Sequence, residues 1–220
     1  MGTNYRLESR RINLDRLNVQ STFTGGRIYS YRNQIIKVFD DDENHVSENE
    51  ARTLSRIKSL HVFLPSKLLF FNDRFCGYSL KSLDKIGRSK TIGVDKEDLL
   101  DSIYNLENDI EILSKKNVVI SGLDFNDLQY NDGLYIVKPD RFIVFNGNEE
   151  TKVNDINIGE LNLLLSSLFI HELNGETIPK KSISEFSDLF RSKDPYTTNC
   201  DFLDDIIGDS PNVRELVKRM

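Results

Sequence analysis

Two cysteines, three histidines and no tryptophan leave this 220-residue chain with few soft metal ligands. Cys76 and Cys200 lie far apart, with neither a CxxC spacing nor a histidine partner, which argues against a disulfide framework or a zinc site. Both read as reduced packing residues. His45, His61 and His171 show no pattern of catalytic partners and read as surface or helix-end residues. Long apolar runs are missing as well. The most apolar stretch, residues 161–170, contains Asn162, Ser166 and Ser167 and falls short of the ~20 residues a membrane span needs. It reads as a buried helix. Residues 1–11 carry no apolar run behind their basic residues, so a secretory leader is not expected and the chain is assigned to the cytoplasm.

The composition that remains, 38% hydrophobic and 29% charged, is that of a packed domain rather than a disordered chain. A net charge of −6 argues against a nucleic-acid binder, whose affinity comes from clustered Lys and Arg. The charge is uneven: residues 1–94 hold 16 Lys+Arg against 10 Asp+Glu, and residues 95–220 hold the remaining 13 against 25. A basic front half suits a polyphosphate ligand, or it simply helps two oppositely charged halves associate.

Residues 21–39 contain a Gly25-Gly26 pair, alternating apolar residues, a turn at Arg32-Asn33-Gln34 and a β-branched run, which predicts a hairpin. Lys37 alternates against Ile36 and Val38 and so points to one particular face. Residues 47–60 repeat apolar side chains at helical intervals behind a Ser47/Glu50 capping box, with Pro65 as a stop. Two strands follow, around the turn Asn72-Asp73-Arg74. The front half is thus expected to run β-β-α-β-β. After a Gly/Ser/Lys-rich connector, Leu99, Leu100, Ile103, Leu106, Ile110 and Leu113 form the stripe of a long amphipathic helix. Short strands are expected at 118–120 and 134–138, and only helices from about Asp155 onward.

This order resembles the protein kinase superfamily over roughly residues 21–170. In that family a lysine on the third strand binds nucleotide phosphates and pairs with a glutamate on the following helix. Lys37 in IIKVF and Glu50 in ENEARTL match those positions. The fold class the resemblance implies is α+β, two-lobed, with a small β-rich N-lobe and a mostly helical C-lobe. Its divisions are an extension over 1–20, an N-lobe over 21–83, a connector over 84–94 and a truncated C-lobe over 95–220. Gly25 and Gly26 stand where the family has three spaced glycines, and Leu80–Leu83 stands at the adenine-binding hinge.

In VVISGLDFNDLQYNDGLYIVKPDRF the resemblance places Gly122 at the catalytic aspartate and Asp127 at a metal-binding asparagine. The second metal position falls on Lys138 or Asp140. The implied ligands are ATP and Mg²⁺, held by Gly25, Gly26, Lys37 and Glu50 and by Asp127 and Asp140. With no side chain, Gly122 cannot serve as a general base. Asp155-Ile156 resembles the family's loop-bracing aspartate, and only ten residues separate Phe145 from Asp155, too few for an activation segment.

Three functions therefore stand open. The first is a pseudokinase that binds ATP/Mg and works by contact with a partner protein. The second is an active divergent phosphotransferase using Asp124 or Asp127. The third is a nucleotide-independent α+β adaptor.

Overall fold

The computed structural model describes residues 5–23, 25–40, 46–81, 90–147 and 149–220. The fold is α+β, with the sheet in the N-terminal part and the longer helices in the C-terminal part. Strands β1 (Tyr5–Leu7), β2 (Arg10–Ile12), β3 (Val19–Phe23), β4 (Gly26–Tyr31) and β5 (Gln34–Phe39) precede helix α1 (Glu48–Leu54). Strands β6 (Lys67–Phe71) and β7 (Arg74–Lys81) complete a seven-stranded antiparallel sheet ordered β2-β1-β6-β7-β5-β4-β3.

Alternation along β5 divides the sheet's two faces. Ile36 and Val38 join Leu7, Ile12, Leu14, Tyr29 and Leu69 in a small cluster on one side. Ile35 joins Leu68, Tyr78 and Leu80 in the main core on the other. Lys37 shares the parity of Ile35, opposite to Ile36 and Val38 as strand alternation predicts, and the fold turns that face toward the main core. Residues 5–12, which read as part of an extension in the sequence, form a hairpin at the sheet's edge, where β1 pairs with β6 and β2 with β1. Three-residue strands are too short for a period-2 pattern to announce them.

Helix α1 is shorter than the expected 47–60. It stops at Leu54 because the chain beyond it is captured by α2 (Lys96–Ser114): one carboxylate oxygen of Asp109 accepts Ser59 Oγ at 2.7 Å, Leu60 N at 2.8 Å and His61 N at 2.6 Å. A charged acceptor makes strong bonds, and these three, from two amides and one hydroxyl, outcompete continued helix. Along α2, Leu99, Ile103, Leu106, Ile110 and Leu113 are fully buried, each contributing about 1.5–3 kcal/mol of burial. The expected connector falls mostly on residues 82–89, which lie outside the described residues together with His45 and half of the Leu80–Leu83 hinge neighbourhood.

Strand β8 (Val118–Val119) leads through a loop and a short 3-10 turn (Phe125–Asp127) into the hairpin of β9 (Leu128–Tyr130) and β10 (Leu134–Ile136). Strand β11 (Ile143–Val144) returns to pair with β8. The chain then enters α3 (Glu150–Asn174), α4 (Lys180–Arg191), α5 (Asn199–Ile207) and α6 (Val213–Arg219). Phe169, Phe186, Phe190 and Phe202 meet edge to face or tilted where α3, α4 and α5 pack together. The sheet-bearing part is tied to the rest by β10, because Phe63 N donates to Ile136 O and Ile136 N donates to His61 O, each at 2.8 Å. Among the described residues no helix is long and apolar enough to cross a membrane. Both cysteines are free and half-buried, and burial pushes the Cys76 thiol up to about 12 and the Cys200 thiol up to about 11.

Candidate functional site

Lys37 projects from β5 toward the loop after β10, and its ammonium forms an ion pair with Asp140. Their side chains are 9% and 10% exposed. Tyr78, the cross-strand neighbour of Lys37 on β7, donates its hydroxyl to the other oxygen of Asp140. The Phe23 ring lies over the Lys37 ammonium at 4.0 Å, a cation–π contact at the end of β3. Burial pushes the Lys37 pKa down, with Asp140 opposing and Lys138 assisting the shift. Burial, reinforced by Asp140, holds the Tyr78 phenol well above its usual range. A lysine in this setting needs a carboxylate for solvation, and Asp140 supplies it.

Asp127, 5% exposed, lies in the same electrostatic neighbourhood. Its Oδ2 accepts Asp124 N at 3.0 Å, while Asp124 Oδ1 accepts Asn126 N at 2.8 Å, a reciprocal cap on the 3-10 turn. Lys138 Nζ lies 3.3 Å from Asp127 Oδ1. Of the two residues offered for the second metal position, Asp140 meets Lys37 and Lys138 meets Asp127. Gly122 has φ 58°, a left-handed conformation that glycine adopts without strain.

Glu50 does not join this cluster. Its carboxylate accepts Ser47 N at 2.9 Å and Ser47 Oγ at 2.7 Å, closing the capping box at the start of α1. The expected Lys37–Glu50 pair is replaced by Lys37–Asp140, since the local cap holds Glu50 while Asp140 already neutralises the lysine. Gly25, at φ 87°, turns the β3–β4 hairpin. At Gly26 a Cβ would fall 2.2 Å from Phe23 Cζ and 2.3 Å from Val38 O, so the glycine is required for Phe23 to fold inward. The glycine pair thus serves a turn and the seating of a ring.

The two carboxylates expected to clamp Mg²⁺ do not fit that task in this arrangement. Asp140 is engaged on both oxygens by Tyr78 and Lys37, and Asp127 on both by Lys138 and the Asp124 amide. Among the described residues no group of three or more His, Cys, Asp or Glu is placed to hold a metal ion.

The brace beneath the loop is Asn157. Fully buried on α3, it accepts Ile120 N and donates to Val118 O and Ser114 Oγ, all at 2.9 Å. The expected brace, Asp155, is exposed two residues earlier, on the opposite side of the helix. Phe23, Tyr78 and Asn157 are the participants that sequence reading missed. Tyr78 alone had a usable signal, because strand pairing of β5 with β7 sets it opposite Lys37. No family model matches the chain, and no curated protein matches it.

Proposed function

We propose that the chain is a two-lobed, kinase-like domain that transfers no phosphate and acts by contact with a partner protein. The order β3-β4-β5-β7-β6, with α1 inserted between β5 and β6, supports this reading of the front part. So does the meeting of Lys37 with the aspartate of the back-half segment KPD. The observation that carries the loss of chemistry is the closed cluster itself. Lys37 is neutralised by Asp140 and covered by Phe23, so phosphate would have to displace a buried carboxylate to reach the ammonium. Gly122 offers no base, and Asp124 and Asp127 are tied into each other's backbone cap.

Calorimetric titration of the wild-type chain with Mg-ATP is expected to give no saturable heat, and incubation with γ-labelled ATP no transfer. Saturable heat lost in Lys37→Met would overturn the closed-site reading in favour of nucleotide binding. Transfer eliminated by Asp127→Ala would establish a divergent phosphotransferase instead.

A further inference from the structure

We infer that the groove between α2, the first turns of α3 and the loop leading into α5 is a docking site for an arginine-bearing segment of a partner protein. This deepens the partner-contact part of the function proposed above and rests on that part alone, independently of whether the Lys37 cluster binds nucleotide.

The groove encloses about 370 Å³ and lies in the half of the chain that carries 25 Asp+Glu against 13 Lys+Arg. Four carboxylates line it, from Glu107 and Glu111 on α2, Asp155 on α3 and Asp201 on α5. Asp155 and Asp201 have no cationic partner among the described residues. Glu107 accepts Asn199 N at 2.7 Å, and Glu111 pairs with Lys115 along α2. The nearby cation Lys193 is turned to the carbonyls of Thr197 and Asp194.

A second, independent feature asks for a hydrogen-bond donor. The side-chain oxygen of Asn154, which lines the groove, is buried without a partner. Unpaired buried acceptors are costly, and this one leaves a demand for an N–H group.

Two phenol rings shape the opening. Tyr196 is 92% exposed and Tyr104 58% exposed, and both line the groove. A guanidinium matches the whole set, because it brings five donors in a plane, stays charged and stacks on aromatic faces. An ammonium offers fewer donors and a stronger hydration shell, so arginine is favoured over lysine.

The test is fluorescence anisotropy with a labelled nine-residue peptide of alternating Arg and Gly, its Lys counterpart and its Glu counterpart. The arginine peptide is expected to bind wild type most tightly, more weakly as salt rises. Asp155→Asn/Asp201→Asn should weaken it at least about tenfold and Tyr196→Ala about threefold. All three positions are exposed, so folding is preserved and is checked by the melting curve. Glu97→Gln/Asp188→Asn, which removes the same charge elsewhere, should leave binding unchanged.

The proposal falls if the arginine peptide does not bind, or if the control variant loses as much as the groove variant. It also falls if the lysine peptide binds equally well. A wild-type dimer that Arg10→Ala/Arg11→Ala dissolves would make a second copy the occupant and overturn the assignment to a separate partner. Failure here leaves the Mg-ATP result untouched, so the two readings stand or fall separately.

Discussion

Lys37 and Asp140, 103 residues apart in the chain, meet as a buried ion pair that joins the sheet to the loop after β10. Tyr78 completes the triad by donating to the same carboxylate. Breaking such a pair strands a charge away from water, whereas replacing both members with apolar groups removes the demand.

Lys37→Met alone is therefore expected to destabilise the chain by about 3–5 kcal/mol, with Asp140→Leu comparable. The double variant Lys37→Met/Asp140→Leu should be at least about 2 kcal/mol more stable than the sum of the single losses. Urea denaturation of the four proteins measures the coupling, and additive losses would show that the pair contributes nothing.

Glu50 gives the complementary case. Glu50→Ala removes one half of the Ser47 capping box and should cost about 0.5–1 kcal/mol. Combined with Lys37→Met, the loss should be additive within about 0.5 kcal/mol, because the two side chains have different partners. A coupling energy above that, from the same denaturation series, would restore a Lys37–Glu50 pair.

Asn157→Ala deletes three buried hydrogen bonds beneath the loop, leaving Ile120 N and Val118 O unpaired. The expected loss is about 2–4 kcal/mol. Asp155→Ala, on the exposed side of the same helix, should change stability by no more than about 0.5 kcal/mol. Thermal melting of both variants separates the brace from its neighbour.

His61 should give the fold an acid sensitivity near neutrality. Its ring stacks on Tyr135 with centroids 5.4 Å apart, and its Nδ1 is buried without a partner. Burial pushes its pKa below 6.5, with Lys81 acting in the same direction and Asp109 and Asp132 against it. Since the folded state resists the proton that the unfolded chain accepts, the stability this group contributes is present above about pH 6.5 and lost as pH falls below it. Melting temperatures of wild type and His61→Gln between pH 7.5 and 5.5 should show a steeper decline for wild type. Parallel curves would remove the role.

Much of the fold was legible locally. The α2 stripe, the β4–β5 hairpin and the α1 capping box each follow from spacing within a few residues, and periodicity reports burial wherever an element has one wet face. The edge hairpin of β1 and β2 was not, since three-residue strands carry too little pattern. The early end of α1 depended on Asp109, some fifty residues downstream in the chain.

By itself the sequence determined that Lys37 would face away from Ile36 and Val38, because alternation along a strand is a property of the chain's own geometry. What that lysine would meet was decided only by the tertiary structure. Glu50 had a local use within its own turn, and the helix cap held it there. Asp140 became the partner because the approach of β10 to the sheet left a buried ammonium and a buried carboxylate, each needing the other to replace lost water.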